Sequence, residues 1–220
     1  MSNYVLKYSR GDKVKYISHL DFVRMFHRSV RRSGLPMAFS QGFNPHPIMT
    51  VAMPLSVGVT SDSEYMKIGF DGEFSPEEII LALNKALPDG FSILAAQKVE
   101  GKELDFAKLD RAEYTVEAEF EAEYAPNIAE FLDNEQILVM KKSKSGVREA
   151  DIKPYIYELR VVENDGRFIK LFMRIAAGNQ YNLKPETVLD AMEKYQPEFK
   201  PVFSAVHRNK ILAGDTEYLK

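Results

Sequence analysis

Ser18-His-Leu-Asp-Phe-Val-Arg-Met-Phe-His-Arg-Ser-Val-Arg-Arg-Ser-Gly34 carries the most definite structural signal in this chain of 220 residues. Ser18 is placed to accept a hydrogen bond from the amide of Asp21, and the Asp21 carboxylate can reach back, in the manner of a capping box. Gly34 and Pro36 stop the segment, so the spacing predicts a helix from about His19 to Ser33. Leu20, Val23, Phe26 and Val30 are expected on its apolar face. Arg24, Arg28, Arg31 and Arg32 fall largely on another face.

Around this helix the chain alternates between strand and helix signals. Asn3–Tyr8 reads as a strand, with Tyr4, Leu6 and Tyr8 on one side. After the helix come a short strand-like piece at Met37–Ser40, the turn-rich loop Gln41-Gly-Phe-Asn-Pro-His-Pro47, and strands at Ile48–Leu55 and Glu64–Phe70. Ser75-Pro-Glu-Glu78 opens a second helix to about Leu87, with acids near its positive dipole end. A strand over Phe91–Val99 follows. Strand, helix, strand, strand, helix, strand is the ferredoxin-like split βαβ order.

Beyond a charged linker at 101–110 the pattern returns. Ala112–Glu121 alternates as a strand and Ala125–Asn134 reads as a short helix. Gln136–Lys141 and Ile152–Val162 read as strands separated by a basic loop. Asn164-Asp-Gly166 makes a tight hairpin into Arg167–Ala176. A helix at Lys184–Tyr195 and a strand at Pro201–Leu212 close the chain. The expected class is α+β, two ferredoxin-like halves in tandem, over residues 1–100 and 111–220.

Composition narrows the function. No run of eighteen apolar residues occurs, so no membrane partner is expected, and the first residues lack a signal-peptide pattern. The chain holds no cysteine, which excludes thiolate nucleophiles and cysteine-held zinc or iron–sulfur clusters in this chain alone. A cytoplasmic location and no cofactor are the expectation. Eight of the 29 basic residues but only two of the 32 acidic ones, Asp12 and Asp21, lie in the first fifty positions. That segment therefore carries +6 and the remaining 170 residues −9, within a net charge of −3. Such segregation suits a polyanion-facing surface on an acidic body, or charges cancelled by their neighbours in the fold.

Candidate site residues follow. Guanidinium groups of Arg24, Arg28, Arg31 and Arg32, one helical turn apart, suit successive phosphates. Pro45 and Pro47 stiffen the backbone around His46, while Phe43 offers a stacking face and Gln41 and Asn44 offer donors and acceptors for a base edge. Lys141, Lys142, Lys144 and Arg148 form a second basic cluster. His19 and His27 lie eight apart on one helix, about 80° and two turns from each other, so they cannot share a metal unaided. No metal signature is present and no metal is expected. Gly-rich phosphate loops and nucleophile elbows are also missing. His46 and His19 are the catalytic candidates, as general acid or base in cleavage of a ribose phosphodiester.

Lys15-Tyr-Ile-Ser-His-Leu-Asp21, Arg24, Arg31-Arg-Ser-Gly-Leu-Pro36 and Phe39-Ser-Gln-Gly-Phe-Asn-Pro-His-Pro47 together resemble the signature of the radical-SAM-linked protein family. The resemblance continues through Ala52-Met-Pro-Leu-Ser-Val-Gly58, Glu64-Tyr65 and Asp151-Ile-Lys-Pro-Tyr155. It implies a bacterial protein, separate or fused to the C-terminus of a radical-SAM protein, and a radical-SAM enzyme as partner. A shorter likeness, in His-Leu-Asp, Arg-Ser-Gly-Leu-Pro and Gly-Phe-Asn-Pro, is to CRISPR-repeat endoribonucleases, tandem ferredoxin-like RNA binders. The resulting expectation is an RNA-binding accessory protein, not itself catalytic, assisting a radical-SAM enzyme in tRNA or rRNA modification. Two alternatives stand beside it: a metal-independent RNA-processing endoribonuclease, and a protein-binding module docking on an acidic partner enzyme.

Overall fold

A computed structural model describes residues 1–100, 105–143, 146–217 and 219, with Lys142 and Ser143 described in backbone only. The chain is a mixed α+β protein that divides into two compact units, Met1–Lys108 with Glu217–Lys220, and Leu109–Thr216. Of the linker expected at 101–110, residues 101–104 lie outside the described residues. Phe106–Lys108 forms a 3-10 turn of the first unit, and Leu109 is buried in the second.

The first unit runs β1 (Ser2–Arg10), α1 (His19–Ser33), β2 (Met49–Val51), β3 (Thr60–Phe70), α2 (Pro76–Ala86) and β4 (Phe91–Val99). All its strand pairs are antiparallel, in the order β4-β1-β3-β2. Tyr4 lies opposite Ile68 and Leu6 opposite Met66. These side chains, with Tyr8, Phe70, Phe91 and Ile93, meet Phe22, Phe26 and Val30 of α1 and Ile79 and Leu83 of α2 in one core. Each such side chain contributes about 1.5–3 kcal/mol on burial. Phe22 anchors the helix, stacked on Tyr8 at 5.2 Å between centroids and tilted against Phe91 at 5.4 Å.

That placement corrects the expected apolar face of α1. Its buried stripe is Phe22, Phe26, Ser29 and Val30, spaced i, i+4, i+7, i+8. Leu20 sits about 200° around the helix from Phe22 and is 66% exposed. The ends agree with expectation: Ser18 Oγ accepts from the Asp21 amide at 3.2 Å, and Gly34 closes the helix at φ 80. The reciprocal bond differs, for the Asp21 carboxylate accepts from the Ser18 hydroxyl at 2.8 Å.

In the second unit the elements are β5 (Arg111–Glu119), α3 (Ile128–Asp133), β6 (Leu138–Ser143), β7 (Gly146–Asp151), β8 (Ile156–Asn164), β9 (Phe168–Ala176), α4 (Pro185–Tyr195) and β10 (Phe203–Ala213). The sheet order is β10-β5-β9-β8, again all antiparallel. Ala112, Tyr114, Val116 and Ala118 of β5 and Ile169, Leu171, Met173 and Ile175 of β9 point inward, the period of two that one buried face demands. The basic stretch expected as a loop is instead a two-stranded ribbon, β6 with β7, inserted between α3 and β8. Strand alternation is hidden there because Met140, Lys141, Val147 and Arg148 are all exposed.

No helix among the described residues is long and apolar enough to cross a membrane.

Candidate nucleic-acid interface

Charge in the first fifty residues is largely spoken for by the fold. Arg10 is buried, donating to the carbonyls of Val14, Lys15 and Ile17. Lys7 pairs with Glu217, Lys13 with Asp89 and Lys15 with Asp12. Arg32 turns toward α2, donating to Ala86 O at 2.7 Å and to Ser29 Oγ at 2.9 Å. Its cation thus satisfies a carbonyl at the negative end of that helix. Arg24 lies 3.5 Å from Asp21, an exposed pair of little energetic weight. Arg28 and Arg31 are exposed and make no ion pair among the described residues.

Arg24, Arg28 and Arg31 therefore share one side of α1, and they line an open groove of about 620 Å³ together with His27. Its opposite side is apolar: Leu35, Pro36, Met37, Phe39 and Pro47. This wall is a short arm on β3. Ala38 N donates to Gly69 O at 2.9 Å, Ile48 N to Ala38 O at 2.8 Å, and Phe39 bridges Pro47. The strands expected at Met37–Ser40 and Ile48–Leu55 reduce to these bridges and to β2. Gly69 lets the arm approach, since a Cβ there would stand 3.2 Å from Ile48 and 3.3 Å from Ala38.

The loop beyond the arm is closed at its neck by Ser40 N donating to His46 O at 2.8 Å and His46 N to Ser40 Oγ at 3.0 Å. Gly42 takes φ 129, a conformation that suits glycine alone. Gln41, Phe43, Asn44 and His46 are all exposed, Phe43 fully so at 105%. None of the four lines the groove. The loop meets the groove only at its base, through Phe39 and Pro47 beside the Ser40–His46 neck.

His27 is the groove residue that sequence reasoning set aside. Its spacing to Arg24 and Arg31, i+3 and i+4 along one helix, was the available signal. Burial pushes its pKa below the ordinary imidazole value. A depressed histidine pKa means the unfolded state takes up a proton that the folded state resists. Its contribution to stability is then full above the unfolded value and falls as pH drops through that value. His27→Gln should flatten the pH dependence of the urea midpoint between pH 7.5 and 5. In the parent protein, NMR titration should put the His27 transition below the usual imidazole range.

His19 is exposed in the first turn of α1. No group of three His, Asp or Glu side chains suited to a metal occurs among the described residues.

On the second unit, Lys141 and Arg148 face each other across the ribbon. Lys141 Nζ sits 4.0 Å from the centroid of the Tyr181 ring, which stacks on Tyr155 at 3.5 Å and 3°. Burial is the largest cause raising the Tyr181 pKa, with the nearby Asp151 carboxylate adding to it. The Lys142 side chain and all of Lys144 lie outside the described residues.

Fold and groove together define a mixed α+β chain of two antiparallel units with a one-sided cationic groove on the first. The chain belongs to the family described as "Uncharacterized protein conserved in bacteria (DUF2344)", which matches residues 3–185. No curated protein matches it. Among solved structures it is similar to a chain of "Crystal Structure of a Cbf5-Nop10-Gar1 Complex", at 10% identity over 96% of this chain and 48% of that one, TM-score 0.49. A chain of "Structure of H/ACA RNP bound to a substrate RNA containing 2'-deoxyuridine" gives 9% identity, 96% and 47% coverage, and TM-score 0.45. "Crystal Structure of an Unknown Protein from Galdieria sulphuraria" gives 14%, 94%, 98% and 0.27. The chain spans about half the length of the first two. At these scores the likenesses bear on neither activity nor partner.

Proposed function

We propose that this chain binds RNA through the groove on α1 and serves in the cytoplasm as an accessory to a radical-SAM enzyme that modifies tRNA or rRNA. The carrying observation is that Arg28 and Arg31, with no ion partner among the described residues, stand beside Arg24 along one wall of an open groove. Unpaired guanidinium groups at helical spacing suit bidentate contacts to phosphate oxygens. The radical-SAM partner rests on the sequence resemblance alone. We also read each unit as a ferredoxin-like half, a reading supported by the strand order of fourth, first, third, second that the two sheets share once the β6–β7 ribbon is left out of the count.

Arg28→Ala with Arg31→Ala should weaken RNA binding about tenfold or more at low salt. It should also lower the slope of log affinity against log salt by about 1.4 to 1.8, as expected for two lost phosphate contacts. Unchanged binding throughout a salt titration refutes the role given to this face. The partnership is tested by co-purification with the radical-SAM protein after nuclease treatment. Cleavage of small RNA in the presence of a chelator, lost in His46→Ala, would replace the accessory role with an endoribonuclease.

A further inference from the structure

Charge in the groove is confined to one wall. Arg24, Arg28 and Arg31 stand at i, i+4 and i+7, about 6 Å and then about 4.5 Å apart along the helix axis. The facing wall carries no ionisable group and presents Met37, Phe39 and Pro47. A paired RNA helix would use only the first wall, because its bases are stacked away and its surface toward the protein is phosphate and ribose. An unpaired strand has both faces needed: phosphates along one side and base rings free to stack on the other.

Phe39 is built for the second contact. It is 46% exposed, yet its backbone is fixed by the bridge to Pro47 and by the arm's bonds to β3. With the backbone already fixed, only the side-chain rotation of the ring remains to be lost when a base settles on it. His27, on the arginine wall, adds the donor and acceptor of an imidazole within reach of a base edge.

We infer that the groove takes an unpaired nucleotide, its base stacked on Phe39 and its phosphates on Arg24, Arg28 and Arg31, so that the target is a single-stranded segment of RNA. This rests on the RNA-binding reading above and narrows it to one class of RNA.

Fluorescence anisotropy of the full chain tests it, with a labelled single-stranded RNA and with the same strand annealed to its complement. The parent protein should bind the single strand about tenfold or more tightly than the duplex. Phe39→Ala should remove that preference, bringing single-strand affinity down to that for the duplex. Phe39→Tyr, which keeps the ring, should retain it. Equal affinity for the two forms, or a preference that survives Phe39→Ala in a variant with unchanged thermal unfolding, overturns the inference and leaves the arginine groove standing as an RNA site. A preference lost equally in Phe39→Tyr overturns it as well. Failure of the parent protein to bind either form overturns both.

Discussion

Arg10→Met should cost the first unit about 3 kcal/mol, visible as a lower urea midpoint with the second unit unaffected. Arg10 is 4% exposed, and its guanidinium donates to Val14 O at 3.2 Å, Lys15 O at 2.7 Å and Ile17 O at 2.5 Å. Two of these carbonyls have other donors: Ile17 N reaches Val14 O, and Gly58 N reaches Lys15 O. The carbonyl of Ile17 is therefore the most exposed to the loss. Methionine matches the length of the stem but supplies no donor, so the variant separates lost packing from lost hydrogen bonds. Because these carbonyls lie just ahead of the Ser18 cap, the change should also loosen the first turn of α1. RNA binding would then weaken without any groove residue being altered. Hydrogen exchange at the amides of 15–22, faster in the variant, checks that path.

Gly178→Ala should be of similar size, about 3 kcal/mol, but in the second unit. A Cβ at this position would lie 2.3 Å from Leu109 O and 3.1 Å from the Asp110 Cα, both backbone atoms. Neither side can yield cheaply. The Asp110 carbonyl accepts from Ala177 N at 2.8 Å, its amide donates to Leu212 O at 3.1 Å, and Gly178 N is bonded to Tyr181 O at 3.0 Å. The expected result is early melting of the second unit, with amides of β5, β9 and β10 losing protection while those of β1 and β3 keep it. Uniform loss across both units would show that the two do not melt separately.

Local chemistry made much of the first unit legible. Ser18, Gly34 and the Ser75–Glu78 box write their helix ends into adjacent residues, and Tyr4, Leu6 and Tyr8 announce their face by alternation. Leu20 was misplaced because one helical stripe can be drawn through Leu20 and Val23 as easily as through Phe22 and Phe26. Only the long-range stack of Phe22 with Tyr8 and Phe91 decides between them. The arginine face was readable for the same local reason. The fates of Arg10 and Arg32 were not, since their partners are carbonyls, which every residue carries. The Gly/Pro segment is the loop that its turn formers announce, yet Gln41, Phe43, Asn44 and His46 lie off the groove. Phe39 and Pro47 gained their place from pairing with one another and from the bonds of their neighbours Ala38 and Ile48 to Gly69 of β3.

The ribbon of β6 and β7 leaves and rejoins the second unit where Ile152 N donates to Ile137 O at 2.9 Å and Ile137 N to Asp151 Oδ1 at 2.9 Å, and its base is tied to α4, Leu138 N donating to Tyr195 Oη at 2.9 Å and Lys194 Nζ to Leu138 O at 2.9 Å. No rung of the β10-β5-β9-β8 ladder passes through it. The hairpin is thus an appendage on a closed neck. Relatives could lengthen or recharge its exposed outer rungs without disturbing the scaffold, free to adapt their charge to whatever each one must touch.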